Sequence, residues 1–103
     1  MTGATDSVAV TCLYNLTARS DMCKAMAQSL VLLEQAVRAC SGCLGTTLLT
    51  DIGDATLFVF IEHWRTQEDR EAAGAVLGKS LFAPIMAAAI TPPARRLLAR
   101  PST

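Results

Sequence analysis

Glu62, His63 and Trp64 stand together at the end of an apolar run, T-L-F-V-F-I-E-H-W-R, from Thr56 to Arg65. A carboxylate or an imidazole can take a proton, and an indole N–H can hold a ligand oxygen. Leu57 to Ile61 is β-branched and aromatic throughout, which predicts a strand. Strand parity then separates the three groups. Phe58, Phe60, Glu62 and Trp64 share one face, while Leu57, Val59, Ile61 and His63 share the other. Trp64 and Glu62 can therefore serve one site, and His63, the one histidine, is turned away from it.

Each group has a structural alternative. Trp64 either donates to a ligand beside Phe58 and Phe60 or caps the core at a strand end. Glu62, if buried among rings, would titrate high and could act as a base. The expectation preferred here is an ion pair with Arg95 or Arg96 on a neighbouring strand. Cys40 and Cys43 form C-S-G-C at the expected end of a helix, where the dipole opposes a thiolate. The four cysteines are read as reduced, buried thiols. Cys12, Cys23 and His63 lack the paired spacing that zinc needs, so no metal site is expected.

The elements that must position these groups follow from periodicity. Ser7–Asn15 predicts a first strand, with Tyr14 and Asn15 at its end on opposite faces. Met22, Met26, Leu30, Leu33 and Val37 recur at helical spacing, which predicts a helix from Met22 to Ala39 capped by Ser20 or Asp21 and stopped at Gly42. Cys43–Thr50 is a second strand, joined to the central one through a turn at Asp51–Asp54. Thr66 with Asp69 resembles a capping box and opens a helix to about Val76, which breaks at Gly78. Leu81–Ala89 is a further helical piece with Pro84 in its first turn. Ala94–Arg100 is the last strand. The order predicts an α+β, ferredoxin-like split βαβ fold: one antiparallel sheet with helices on one face.

At 103 residues the chain is read as a single domain, 1–103, with 1–6 and 101–103 expected to be frayed. It is 51% hydrophobic and 17% charged, with formal net charge zero. No basic block suggests nucleic acid or an anionic membrane surface as a partner. No stretch reads as a membrane span or signal peptide, so the expected location is cytoplasmic. Both faces of the central strand are apolar, and 103 residues supply only one helical layer. A second copy of the chain, a homodimer through the open sheet face, is the natural cover.

Three segments carry a family resemblance. A-C-S-G-C-L, Ala39 to Leu44, resembles the helix-to-strand junction of the antibiotic biosynthesis monooxygenase family. F-V-F-I-E-H-W, Phe58 to Trp64, resembles its third strand, and K-S-L-F-A-P-I, Lys79 to Ile85, its third-helix segment. The resemblance implies a dimeric α+β barrel with a small pocket between sheet and helices. It also implies oxidation of phenols to quinones without cofactor, the substrate's own anion supplying electrons to dioxygen. On this reading the ligand is a small aromatic, polyketide-like molecule. Trp64 orients it, Tyr14 or Asn15 bonds its oxygen, and Phe58, Phe60, Glu62, Phe82 and Met86 line the site. The family's ungapped match falls on Tyr14 and Asn15 is one residue off; a one-residue shift changes the face, so at most one of them enters the pocket, and the favoured alternative for Asn15 is a turn residue. Heme-degrading relatives carry a histidine after the third strand, where Gln67–Ala89 has none. The rival reading is a dimeric small-molecule-binding or accessory protein of the same fold without turnover.

Overall fold

The computed structural model describes residues 8–101. The chain runs β1 (Val10–Thr17), α1 (Cys23–Arg38), β2 (Cys43–Thr50), β3 (Leu57–Trp64), α2 (Gln67–Leu77), a short 3-10 turn (Lys79–Leu81), α3 (Ala83–Ala88) and β4 (Ala94–Leu98). The strands form one antiparallel sheet in the order β2-β3-β1-β4. This is the α+β, ferredoxin-like arrangement.

Several boundaries differ from the sequence expectation. β1 extends to Thr17 because Leu16 and Thr17 pair with Phe58 and Leu57; the expected start at Ser7 lies outside the described residues. Neither Ser20 nor Asp21 caps α1. The Met22 N–H donates to Arg19 O, and this turn places Met22 at the cap position with no side-chain cap bond. Thr66 does cap α2, its hydroxyl accepting from the Asp69 N–H at 3.0 Å. The Asp69 carboxylate does not return the bond, because Arg65 Nε holds it at 2.8 Å. Leu81 belongs to the 3-10 turn and α3 starts at Ala83, with Pro84 in its first turn.

The core lies between the sheet and the helices. Met26, Leu30, Leu33 and Val37 of α1 are buried, each contributing roughly 1.5–3 kcal/mol of transfer free energy. They meet Cys12, Leu16, Phe58, Phe60 and Trp64 of the sheet. Arg38 Nε donates to Thr46 Oγ1 at 2.7 Å, and that hydroxyl donates to Glu34 at 2.8 Å, tying α1 to the β2 edge. A bulge between Cys43 and Gly45 interrupts the register of that edge, with Gly45 at φ 151°. The opposite face carries Leu13, Val59 and Ile61, half-buried, and Leu49 and Leu57, exposed. No described element of the chain covers it. His63 lies on that face, exposed, with Nδ1 3.2 Å from Thr11 Oγ1.

Candidate active site

The helix-covered face is built from rungs of paired residues: Leu16 with Phe58, Tyr14 with Phe60, Cys12 with Glu62, and Val10 with Trp64. Successive rungs on one face are about 7 Å apart. An apolar cavity of about 50 Å³ sits over the Tyr14 rung. Tyr14 and Phe60 form its floor, their ring centroids 6.2 Å apart and the planes inclined at 28°. Leu30 and Leu33 of α1 form one wall, and Phe82, Ile85 and Met86 form the other. Its accessible lining is wholly apolar.

Beyond that floor runs a buried polar string. Cys12 is fully buried, Glu62 is 6% exposed and Trp64 is 1% exposed. Trp64 Nε1–H donates to Glu62 Oε1 at 2.9 Å. Burial pushes the Glu62 carboxyl above its ordinary value, while the Trp64 bond and the charge of Arg70 act against the rise. Burial also drives the Tyr14 phenol well up, and the Cys12 thiol and the Glu62 charge add to it. Cys12 is raised chiefly by burial. A phenol is neutral at neutral pH and burial reinforces this, so Tyr14 can donate a hydrogen bond; Glu62, the one carboxylate of the string, is the group best suited to receive a proton.

Phe60, Phe82, Met86 and Tyr14 are brought together at the cavity, and Phe58 lies one rung beyond the floor. Asn15 is not a turn residue: it pairs with Val59 within β1, exposed on the other face, and borders a depression of about 420 Å³ at the end of the sheet with Thr17, Thr50 and Asp51. Trp64 and Glu62 lie off the cavity, turned to each other. The expected ion pair of Glu62 with Arg95 or Arg96 is absent among the described residues. Register explains this: Arg95 faces Tyr14, and Arg96 faces Leu13 on the open side. The string's use of Cys12 was not anticipated, although strand parity already placed it beside Tyr14. No three His, Cys, Asp or Glu side chains converge to hold a metal among the described residues.

The sequence matches the family model for antibiotic biosynthesis monooxygenases over residues 9–74, and the chain belongs to that family. No curated protein matches it. Among solved structures it is similar to PA3566 from Pseudomonas aeruginosa, with 26% identity and a TM-score of 0.77 over 93% of this chain and 97% of that one. Rv0793 from Mycobacterium tuberculosis aligns with 18% identity and a TM-score of 0.80, covering 92% and 97%. SnoaB, a cofactor-independent oxygenase from Streptomyces nogalater, aligns with 14% identity and a TM-score of 0.79, covering 93% and 96%. At these lower identities the likeness concerns the fold.

Proposed function

We propose that the protein is a cofactor-independent monooxygenase that converts a small phenolic molecule to a quinone, working as a homodimer closed through the open sheet face. The observation that carries this reading is the apolar cavity on Tyr14 and Phe60, with a buried carboxylate one rung beyond its floor. The phenol loses its proton and the resulting anion passes electrons to dioxygen. One oxygen atom ends on the ring as the quinone carbonyl and the other leaves as water. The protein's share is shape, exclusion of water and a few hydrogen bonds. Tyr14 would hold the substrate oxygen and Glu62 would receive the proton.

Ligand pockets commonly enclose about 300–1,000 Å³, so a substrate must push back the wall formed by Phe82, Ile85 and Met86. That wall hangs between Gly78, at φ 77°, and the bonds Arg19 N–H to Ala88 O and Ile90 N–H to Thr17 O. Met86 is 50% exposed and stands at its rim. The narrowness of the cavity and the engagement of the Trp64 N–H by Glu62 favour a second reading, a binding or accessory protein without turnover.

Oxygen uptake with a panel of anthrone- and naphthol-type phenols separates the two. Uptake without added cofactor, reduced in Tyr14→Phe and Trp64→Phe variants that remain folded, is the expected result. No uptake above buffer, together with saturable quenching of Trp64 emission by the same compounds, would replace the oxygenase with the binding protein.

A further inference from the structure

The turn that leads the chain out of α1 brings the backbones of two cysteines together. The Cys43 N–H donates to Cys40 O at 3.2 Å. The third residue of the turn, Gly42, has φ 85°. This is the pattern of a type II turn, whose end Cα atoms lie within about 7 Å. Disulfides bridge Cα atoms roughly 4.4–6.8 Å apart. Both thiols are free, and both side chains pack against the same core. Cys43 stands opposite Trp64 in the ladder. The Cys40 thiol donates to Ala36 O at 3.4 Å.

Two further features bear on access and rigidity. Cys40 lines an open groove of about 490 Å³ between α1 and α2, where Ala36, Ala39, Ala72 and Ala73 leave room for a small solute to approach. The turn itself is held in place, since the Arg65 N–H donates to Gly42 O at 2.8 Å. The Cys43 thiol donates to Gly45 O at 3.7 Å, so joining the two sulfurs asks both side chains to rotate away from their carbonyls, within a turn whose backbone spacing suits the bridge.

We propose that Cys40 and Cys43 are a redox-active dithiol, which a small hydroperoxide oxidises to a disulfide across the α1–β2 turn. The Cys40 thiolate attacks the peroxide O–O bond. The bond breaks, a sulfenic acid forms on Cys40, and water or an alcohol leaves. Cys43 sulfur then displaces that hydroxyl, which leaves as water with the Cys43 thiol proton, and the S–S bond closes. The two thiols give up two electrons and two protons, and the peroxide takes them. An external dithiol reverses the change. Burial, above all, pushes the Cys40 thiol up, with Cys43 and the Glu62 charge of β3 adding to it; Asp69 of α2 shares its groove, and the C-terminal end of α1 disfavours its thiolate. Oxidation is consequently slow at neutral pH and accelerates as pH rises, unlike that of a peroxidatic cysteine at a helix N-terminus.

The test treats the native, reduced full chain with hydrogen peroxide, alkylates the remaining thiols and maps the peptides by mass spectrometry. The expected product has lost two hydrogens, links Cys40 to Cys43 within one chain, and returns to four alkylatable thiols after dithiothreitol. Cys40→Ser and Cys43→Ser abolish the linkage, and Cys23→Ser leaves it intact. Trp64 emission falls on oxidation and recovers on reduction, because Cys43 faces the indole. The proposal is overturned by four thiols surviving a dose that oxidises the urea-unfolded chain. Sulfinic acid on Cys40 without a bond to Cys43, or linkages only between chains, would overturn it equally.

Discussion

Trp64→Phe should destabilise the fold more than the loss of ring area accounts for, and the excess should depend on pH. The substitution removes the indole N–H that Glu62 accepts at 2.9 Å. Glu62, 6% exposed, is left with a carboxylate oxygen that water reaches poorly. Losing a hydrogen bond to a charged group costs about 1.5–3 kcal/mol, and the smaller ring forfeits roughly 1 kcal/mol of burial. The sum, about 2.5–4 kcal/mol, is a large part of the roughly 5–15 kcal/mol that holds a domain together. It corresponds to a fall of roughly 10–30 °C in Tm.

The sign of the pH effect follows from the raised Glu62 carboxyl. Below the ordinary glutamate range the group is protonated in both folded and unfolded chains and contributes no penalty. As pH rises toward the native value the unfolded chain ionises first, so stability falls; above the native value the penalty is constant. Trp64 is one of the two influences that hold the native value down. Removing it widens the window upward and enlarges the variant's deficit at higher pH. Urea unfolding followed by circular dichroism at about pH 4 and about pH 7.5 measures this. A cycle with Glu62→Gln should give a coupling of about 1–2 kcal/mol. Additivity within about 0.5 kcal/mol, or a deficit equal at both pH values, would refute the account.

Gly42→Ala should destabilise by about 1–3 kcal/mol, since a side chain there must adopt φ 85° and would collide with the Asp69 carboxylate; thermal melting checks it. Thr66→Ala, which removes the cap on the Asp69 N–H, should cost about 1 kcal/mol, and Thr66→Ser should recover most of it in the same urea assay. Ile85→Ala should cost about 2–5 kcal/mol, because Ile85 is 3% exposed at the cavity wall. It should also enlarge the cavity, read as tighter binding of naphthol by Trp64 quenching. Ile61→Asp, on the open face, should halve the mass seen by sedimentation if the proposed dimer uses that face, and should leave the far-ultraviolet dichroism of the chain unchanged.

The two faces of β3 were legible because parity needs no partner: Phe58, Phe60 and Trp64 are buried while Leu57 and His63 are exposed. The stripe on α1 was legible for the same reason, its period being local. What failed was long-range. Leu16 and Thr17 look like a connection until Phe58 and Leu57 pair with them. The arginine partners expected for Glu62 depended on the register of β4, which sequence does not state. A nearer signal was present: Glu62 and Trp64 are two apart on a strand, hence on one face about 7 Å apart at the backbone, within reach of two long side chains. The cavity walls contributed by Leu30 and Leu33 depend on how α1 lies across the sheet. Periodicity marks those residues as core without showing that a gap remains beneath them.

The bulge at Cys43–Gly45 and the clamp of Arg38, Thr46 and Glu34 have a consequence for how copies of this chain can meet. An outer strand with regular, free amides invites another strand to extend the sheet sideways, which is how fibrils grow. On the β2 side the register shift spoils the spacing that an incoming strand would have to match, and the clamp places a charged arginine and glutamate beside it. Lateral growth is thereby discouraged at β2. The apolar side chains in the middle of the sheet stay free for stacking, a mode of contact that ends once two sheets have met.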